Sequence, residues 1–341
     1  MSIISNVIAQ KSVQWSQLPL LPGGKGWAGM YAGVSHNTLI AMGGANFPGK
    51  YPWEGGIKKW YDEIYTLQNG KVWVKANQSL SEPSAYGISV SYENKIILVG
   101  GSNAGGHLSR VKSLEWVGEK IVQNELPHLP FPLANMGGTL IGDLIVIFGG
   151  SSGVSEAPLK KCLALNLMDI QSGWFEIDAW PGPERIFPVC TLYNGQCYLF
   201  GGETSGINSK GEKYRSILLD SYRLTLQKRD SKWGAKWEKL APMPRGMSAG
   251  GTILPVLNDR FLFWGGVDAV TAQYKTPATH PGIIKSLLYY FPETDSWEYI
   301  GEQTTIPSRV TLPVVFWNNM WVYISGEVKP GIRTPTVVGV R

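Results

Sequence analysis

Five residues separate a glutamate and an arginine, Glu327 and Arg333, in the stretch SGEVKPGIRT. A carboxylate can carry a proton, and a guanidinium can hold a carboxylate through two parallel hydrogen bonds. Such a pair is equipped for acid–base work on an anionic ligand. Pro330 and Gly331 stiffen and turn the chain between them, so both side chains can project towards one ligand. The competing reading is a local surface ion pair, worth about 0–1 kcal/mol.

The elements that would position this pair follow from a repeat. Short apolar strands end in Gly43-Gly44, Gly100-Gly101, Gly149-Gly150, Gly201-Gly202 and Gly265-Gly266, with Ser325-Gly326 as a sixth, degenerate copy. The spacings are 57, 49, 52, 64 and 60 residues. Two strand-like runs joined by a tight turn precede each pair, as in YGISVSYENKIILVGG and FPVCTLYNGQCYLFGG. Asn194-Gly195 and Gly142-Asp143 are hairpin signals. A third strand follows each pair, and a fourth usually starts at a tryptophan: Trp73, Trp174, Trp237 and Trp297. That order at a period of about 50 residues is the kelch pattern, one four-stranded propeller blade per repeat.

The expected fold is therefore all-β, a six-bladed kelch-type β-propeller spanning residues 1–341 as one domain. The sixth repeat lacks its tryptophan strand, and VQWSQLP at 13–19 precedes the first repeat. Trp15's strand is expected to complete the last blade and close the ring, because an open ring would leave a sheet edge exposed.

In such a ring the connection into each innermost strand and the connection after each double glycine emerge on one face. Sixteen residues before the first glycine position stand Trp27, Ser84, Leu133, Arg185 and Arg309. In the fifth repeat an insertion, PVLND, puts Arg245 at twenty residues in the same part. Arginines at these positions either pair with acidic groups of a neighbouring blade or bind ligand. Three on one rim favour a positive pocket, since unpaired, partly buried guanidinium groups are costly. Glu327 and Arg333 fall on the same face. So do long loops at 45–63, 203–213 and 267–282, whose Asn46, Trp53, Trp60, Tyr61 and Glu203 suit the hydroxyls and C–H faces of a sugar, with packing within a lid the competing reading for Trp53, Trp60 and Tyr61. His107 is a further candidate from that face.

Composition excludes other classes. The net charge is only +5 and no Lys/Arg run exceeds two residues, which argues against nucleic acid. Apolar runs are of strand length, so no membrane span is expected. The four histidines show no metal-ligand pattern, His36 is expected in a hairpin turn on the opposite face, and no metal or cofactor is implied. Cys162, Cys190 and Cys197 read as buried strand thiols. MSIISNVIAQK has no signal-peptide features, so a cytoplasmic location is expected, periplasmic if a signal has been removed. A homodimer is compatible with all of this.

GEVKPGIRT, preceded by WVYIS, resembles the GEAKPGLRT segment of the bacterial N-acetylneuraminate mutarotases (sialic acid epimerases), six-bladed kelch propellers. YAGVSHNTLIAMGGANFPG, KKWYDEIYTL, AYGISVSYENKIILVGG and WEYIGE resemble further segments of that family, so the similarity spans nearly the whole chain. The order differs: the segment that is internal in the family here follows the others, as in a cyclic permutation. The resemblance implies that Glu327 and Arg333 are the active-site pair. Ser84 stands where the family has an arginine. The implied activity is interconversion of the α and β anomers of a sialic acid by acid/base-assisted ring opening, without cofactor. Arg333 would clamp the carboxylate, and Arg185, Arg245 and Arg309 would shape the pocket. A non-catalytic kelch module that binds sugar or protein would bind without turnover. A sialidase-like hydrolase would carry S-x-D-x-G-x-T-W boxes, and none occurs.

Overall fold

Each glycine-terminated apolar run folds as the second strand of an antiparallel four-stranded sheet, and six such sheets form a ring. The computed structural model describes residues 13–230, 232–274 and 276–341, so the N-terminal stretch MSIISNVIAQK lies outside the described residues. Blade 1 is built from Tyr31–Ser35, Thr38–Met42, Glu63–Leu67 and Val74–Ser79, from axis to rim. Blades 2 to 5 repeat this order. Blade 6 takes Val314–Trp317, Met320–Ile324 and Val337–Val340 from the last repeat and Trp15–Leu18 from the first strand of the chain. Trp15 pairs with Val340 and Leu18 with Val337, which is the expected closure. His36 and Asn37 take positive φ in the hairpin turn of blade 1, on the face opposite the double glycines.

The core is divided among the seams. Six apolar clusters each draw on two adjacent blades, such as Leu39, Ala41 and Leu67 of blade 1 against Trp317, Val322 and Ile324 of blade 6. Burial of each such side chain contributes roughly 1.5–3 kcal/mol, and no single blade could bury both of its faces alone. The fourth-strand tryptophans brace neighbours: Trp73, Trp174, Trp237 and Trp297 donate their indole N–H to carbonyls of Pro19, Pro127, Asp178 and Ala241 in the preceding blade. Cys162, Cys190 and Cys197 are buried and free, as expected.

The double glycines have a steric cause. The second glycine of each pair donates its amide to a carbonyl of the next blade, Gly150 to Arg185 for example. A Cβ on Gly149 would stand 2.2 Å from that same oxygen. In blade 6 Gly326 keeps this bond, to the Trp27 carbonyl, and the degenerate Ser325, at φ 59°, adds its hydroxyl, accepting from the Trp27 amide and donating to the Thr334 carbonyl.

At the axis a circle of main-chain bonds ties the blades. Gly29, Tyr86, Asn135, Phe187, Ala249 and Thr311 stand one per blade, all with φ between 51° and 65°. Gly29 donates its amide to Thr311, Thr311 to Ala249, Ala249 to Phe187, Phe187 to Asn135, Asn135 to Tyr86 and Tyr86 to Gly29, at 2.6–3.1 Å. The six bonds form a closed circle. The cavity lined by these residues and their successors measures about 40 Å³, enough for a water or two and not for a sugar. No helix among the described residues is long and apolar enough to cross a membrane.

Candidate active site

The residue after each double glycine forms an antiparallel bridge with the residue that precedes the axial circle. Ala45 pairs with Ala28, Ser102 with Ala85, Ser151 with Ala134, Glu203 with Ile186, Val267 with Ser248 and Glu327 with Val310. Only blades 4 and 6 place a carboxylate there. Both lie on the double-glycine face, above the axis.

Glu327 starts the short strand Glu327–Lys329, and Arg333 ends Ile332–Arg333, which returns beside it. The two residues are cross-strand partners, and Arg333 Nη2 stands 2.7 Å from Glu327 Oε2. The Arg333 side chain is only 6% exposed and that of Glu327 19%, so this is no surface pair. Arg333 Nε and Nη1 are buried without a hydrogen-bond partner among the described residues. Unpaired buried donors on a cation are costly, and an anionic oxygen would satisfy them. Burial raises the Glu327 carboxyl above its ordinary pKa, while Arg333, the Gly331 amide and Lys58 oppose that rise. A carboxyl tuned this way is suited to take and return a proton.

The hairpin rests on blade 1. The Arg333 guanidinium lies 4.9 Å from the ring centre of Phe47. A Cβ on Gly331 would be 2.9 Å from Pro52 and Trp53, so the Pro52–Glu54 turn packs directly on the hairpin tip. Trp53 is 47% exposed and stacks on Tyr51 at 4.7 Å, leaving an aromatic face open beside the pair. Asn46 is buried, donating to the Gly26 carbonyl and accepting from the Tyr61 hydroxyl at 2.7 Å. These bonds tie Asn46 and Tyr61 to one another and to the loop at Gly26. Trp60 keeps a buried, unpartnered indole N–H.

The expected arginine rim is corrected by the structure. Arg185 is fully buried, forms two hydrogen bonds with Asp220 and also donates to the carbonyls of Gly201 and Pro183. Arg309 donates to the carbonyls of Ser325, Thr336 and Pro307, lies 5.5 Å from the Trp264 ring centre, and keeps Nη2 unpartnered. Arg245 reaches Ser286 and the Gly265 carbonyl. All three side chains therefore bind the first-glycine position of their own blade and the third strand beside it. Arg185 and Arg245 are thus engaged within the framework, while Arg309 retains one buried donor without a partner. Burial pushes Arg245 and Arg309 down to about 10. The blade 5 position equivalent to Arg185 is held by Met247, whose carbonyl receives the Gly202 amide; Arg245 lies two residues upstream.

Glu203 is also placed differently from a ligand contact. Arg215 grips both its oxygens, at 3.1 and 2.6 Å, and the Ser248 hydroxyl donates at 2.8 Å. His107 sits in blade 2 with Nε2 3.1 Å from the Ser151 hydroxyl and Nδ1 buried and unpartnered. Burial lowers its pKa. Sequence reasoning missed Lys58, Phe47 and Arg215; for Arg215 the signal was a second Glu-to-Arg hairpin after a double glycine. The opposite face carries a cleft of about 450 Å³ between the outer strands of blades 1 and 2, lined by Thr66, Lys75, Asn77, Trp116 and Glu119, remote from these groups.

Residues 2–122 match the N-acetylneuraminate epimerase family. That stretch supplies the closing strand and blade 1, including Phe47, Trp53 and Lys58, and most of blade 2. The N-acetylneuraminate epimerase of Haemophilus influenzae (strain 86-028NP) is 41% identical over 126 residues, 33% of this chain and 33% of that protein. The Salmonella typhimurium (strain LT2) N-acetylneuraminate epimerase is 45% identical over 103 residues, 27% of this chain and 26% of its own length. The chain thus spans about a third of the length of the curated relatives it matches. A solved structure described as "Structure of YjhT" superposes on 95% of this chain and 99% of its own, with a TM-score of 0.69 and 15% identity. At that identity the likeness speaks for the propeller fold alone.

Proposed function

We propose that the protein is an isomerase, a mutarotase that interconverts the α and β anomers of N-acetylneuraminate. The observation that carries this reading is a contact. The Glu327–Arg333 hairpin, from the far end of the sequence, packs through Gly331 and Arg333 on Pro52, Trp53 and Phe47 of the epimerase-like stretch. A changed blade order, as in a cyclic permutant, fits a sequence match confined to one stretch of a chain whose fold superposes along nearly all its length.

In this reading Arg333 Nε and Nη1 take the sugar carboxylate. Glu327 removes the proton from the anomeric hydroxyl as the bond from that carbon to the ring oxygen breaks, and a tyrosine, a histidine or a water gives the ring oxygen a proton. The open-chain ketone closes on either face to give either anomer, with the proton returned. Positioned acid–base groups contribute about 10²–10⁴-fold each, without oxidant or metal. Buried free thiols in three strands support a reducing compartment, and hence the cytoplasm.

The test follows freshly released α-N-acetylneuraminate by proton NMR with and without the protein. Catalysed equilibration, abolished in Glu327→Gln with binding retained, is the expected result. Equilibration at the uncatalysed rate with the wild-type chain would reject the reading.

A further inference from the structure

Lys58 is a second cation at this mouth. It lies in the blade 1 loop just before the short strand Lys59–Trp60, half-buried. Its Nζ stands 4.1 Å from the ring centre of Tyr86 and 4.8 Å from that of Trp60. Tyr86 belongs to the axial circle, so this contact holds the ammonium near the axis. Among the described residues no carboxylate comes within ion-pair distance of it, and it makes no hydrogen bond. Its field still reaches Glu327.

Arg333 and Lys58 are the two cations whose fields act on Glu327, so this trio carries one positive charge in excess. An ammonium over two aromatic faces keeps its three N–H donors, since the rings accept its charge without taking up those donors in strong hydrogen bonds. The rings also restrict the four-carbon stem, which reduces the ordering cost of using it on a ligand. A monoanion with two adjacent oxygens matches this arrangement: one residual charge, unpaired donors on Arg333, and three more on Lys58.

We propose that Lys58 and Arg333 together form a two-cation clamp for the carboxylate of a sugar acid, with Tyr86 and Trp60 as the cradle that holds Lys58 ready. This rests on the mutarotase reading and narrows it, making Lys58 a residue that selects sugar acids over neutral sugars. Arg333 brings fixed planar donors, whereas Lys58 brings a compact charge on a flexible stem.

The test titrates N-acetylneuraminate and its uncharged methyl ester into the full chain by calorimetry, comparing wild type with Lys58→Met and Lys58→Arg, and measures anomer exchange by NMR alongside. Methionine keeps the apolar stem over the rings and removes only the charge, and melting curves confirm the fold. Lys58→Met should bind the acid roughly 10–100-fold more weakly, bind the ester as wild type does, and lose part of the salt dependence of acid binding. Lys58→Arg should recover most of the affinity. Equal loss for acid and ester, unchanged acid binding, or no acid binding by wild type would overturn the clamp. Selective loss of acid binding without any exchange by wild type would keep the clamp and reject the mutarotase, and the reverse pattern separates them the other way.

Discussion

Glu203 and Glu327 occupy the same place in blades 4 and 6: each follows a double-glycine position, bridges the incoming strand, and faces an arginine from a returning strand. The difference lies in what is left unsatisfied. Arg215 spends its donors on Glu203 and is 47% exposed, whereas Arg333 is 6% exposed with two donors free. The ring repeats one motif, closed in one blade and open in the other.

Isosteric changes separate the two. Glu327→Gln is expected to lower the rate of anomer exchange by about 10²–10⁴-fold. Glu203→Gln should leave the rate per folded molecule within a few-fold and cost about 1–3 kcal/mol of stability, because Arg215 and Ser248 lose a charged acceptor. NMR exchange and urea unfolding on both variants check this.

Asp220 tests the reassignment of the arginines. Its carboxylate holds the fully buried Arg185 guanidinium, so Asp220→Ala strands a charge inside the protein and should cost about 3–5 kcal/mol. Exchange by the remaining folded molecules should be unchanged. Lost sugar-acid binding at full stability would return Arg185 to the site.

The pH profile should carry Glu327's signature. Burial raises its carboxyl, and the base must be ionised, so the acid limb of the exchange rate is expected above 4.5, the ordinary value. Lys58 opposes the rise, so Lys58→Met should move that limb to still higher pH. A limb that stays fixed would detach Lys58 from Glu327.

Stability should fall on mild acidification because of His280. Burial, and then Lys329, lower its pKa below the ordinary 6.5, and its neutral Nδ1 accepts the Gly282 amide. With the folded value depressed, the unfolded chain takes up the proton first as pH drops through 6.5. The stability present above that pH is therefore lost below it. Melting temperatures between pH 7.5 and 5.5 should fall less steeply in His280→Gln.

Gly331 reports on the seating of the aromatic turn. It adopts φ 80°, and a Cβ would strike Pro52 and Trp53. Gly331→Ala should displace Trp53, seen as a shift in tryptophan emission, and weaken sugar-acid binding with little change in global stability.

Much of this architecture is legible in the sequence, because double glycines and fourth-strand tryptophans recur wherever one backbone contact recurs. The closing strand is legible because the sixth repeat lacks one. The arginine roles were not, because a guanidinium's identity does not reveal its partner. Asp220 lies 35 residues beyond Arg185, and Ser286 lies 41 beyond Arg245. The fifth repeat misled for another reason: its insertion shortens the innermost strand to Val256–Leu257, and Met247 takes the place assigned to Arg245. Lys58 is one of two adjacent lysines in a loop, and nothing local marks which of them meets Tyr86.

The circle of amides at the axis has a bearing on how such a protein can change. Every link in it is peptide to peptide, so Tyr86, Asn135, Phe187, Ala249 and Thr311 contribute no side-chain atom to its integrity. Each is also held in the left-handed region, where glycine would sit with less strain. Their side chains are therefore open to exchange without loosening the hub, and the molecule can revise the floor of its mouth one blade at a time while its closure stays intact.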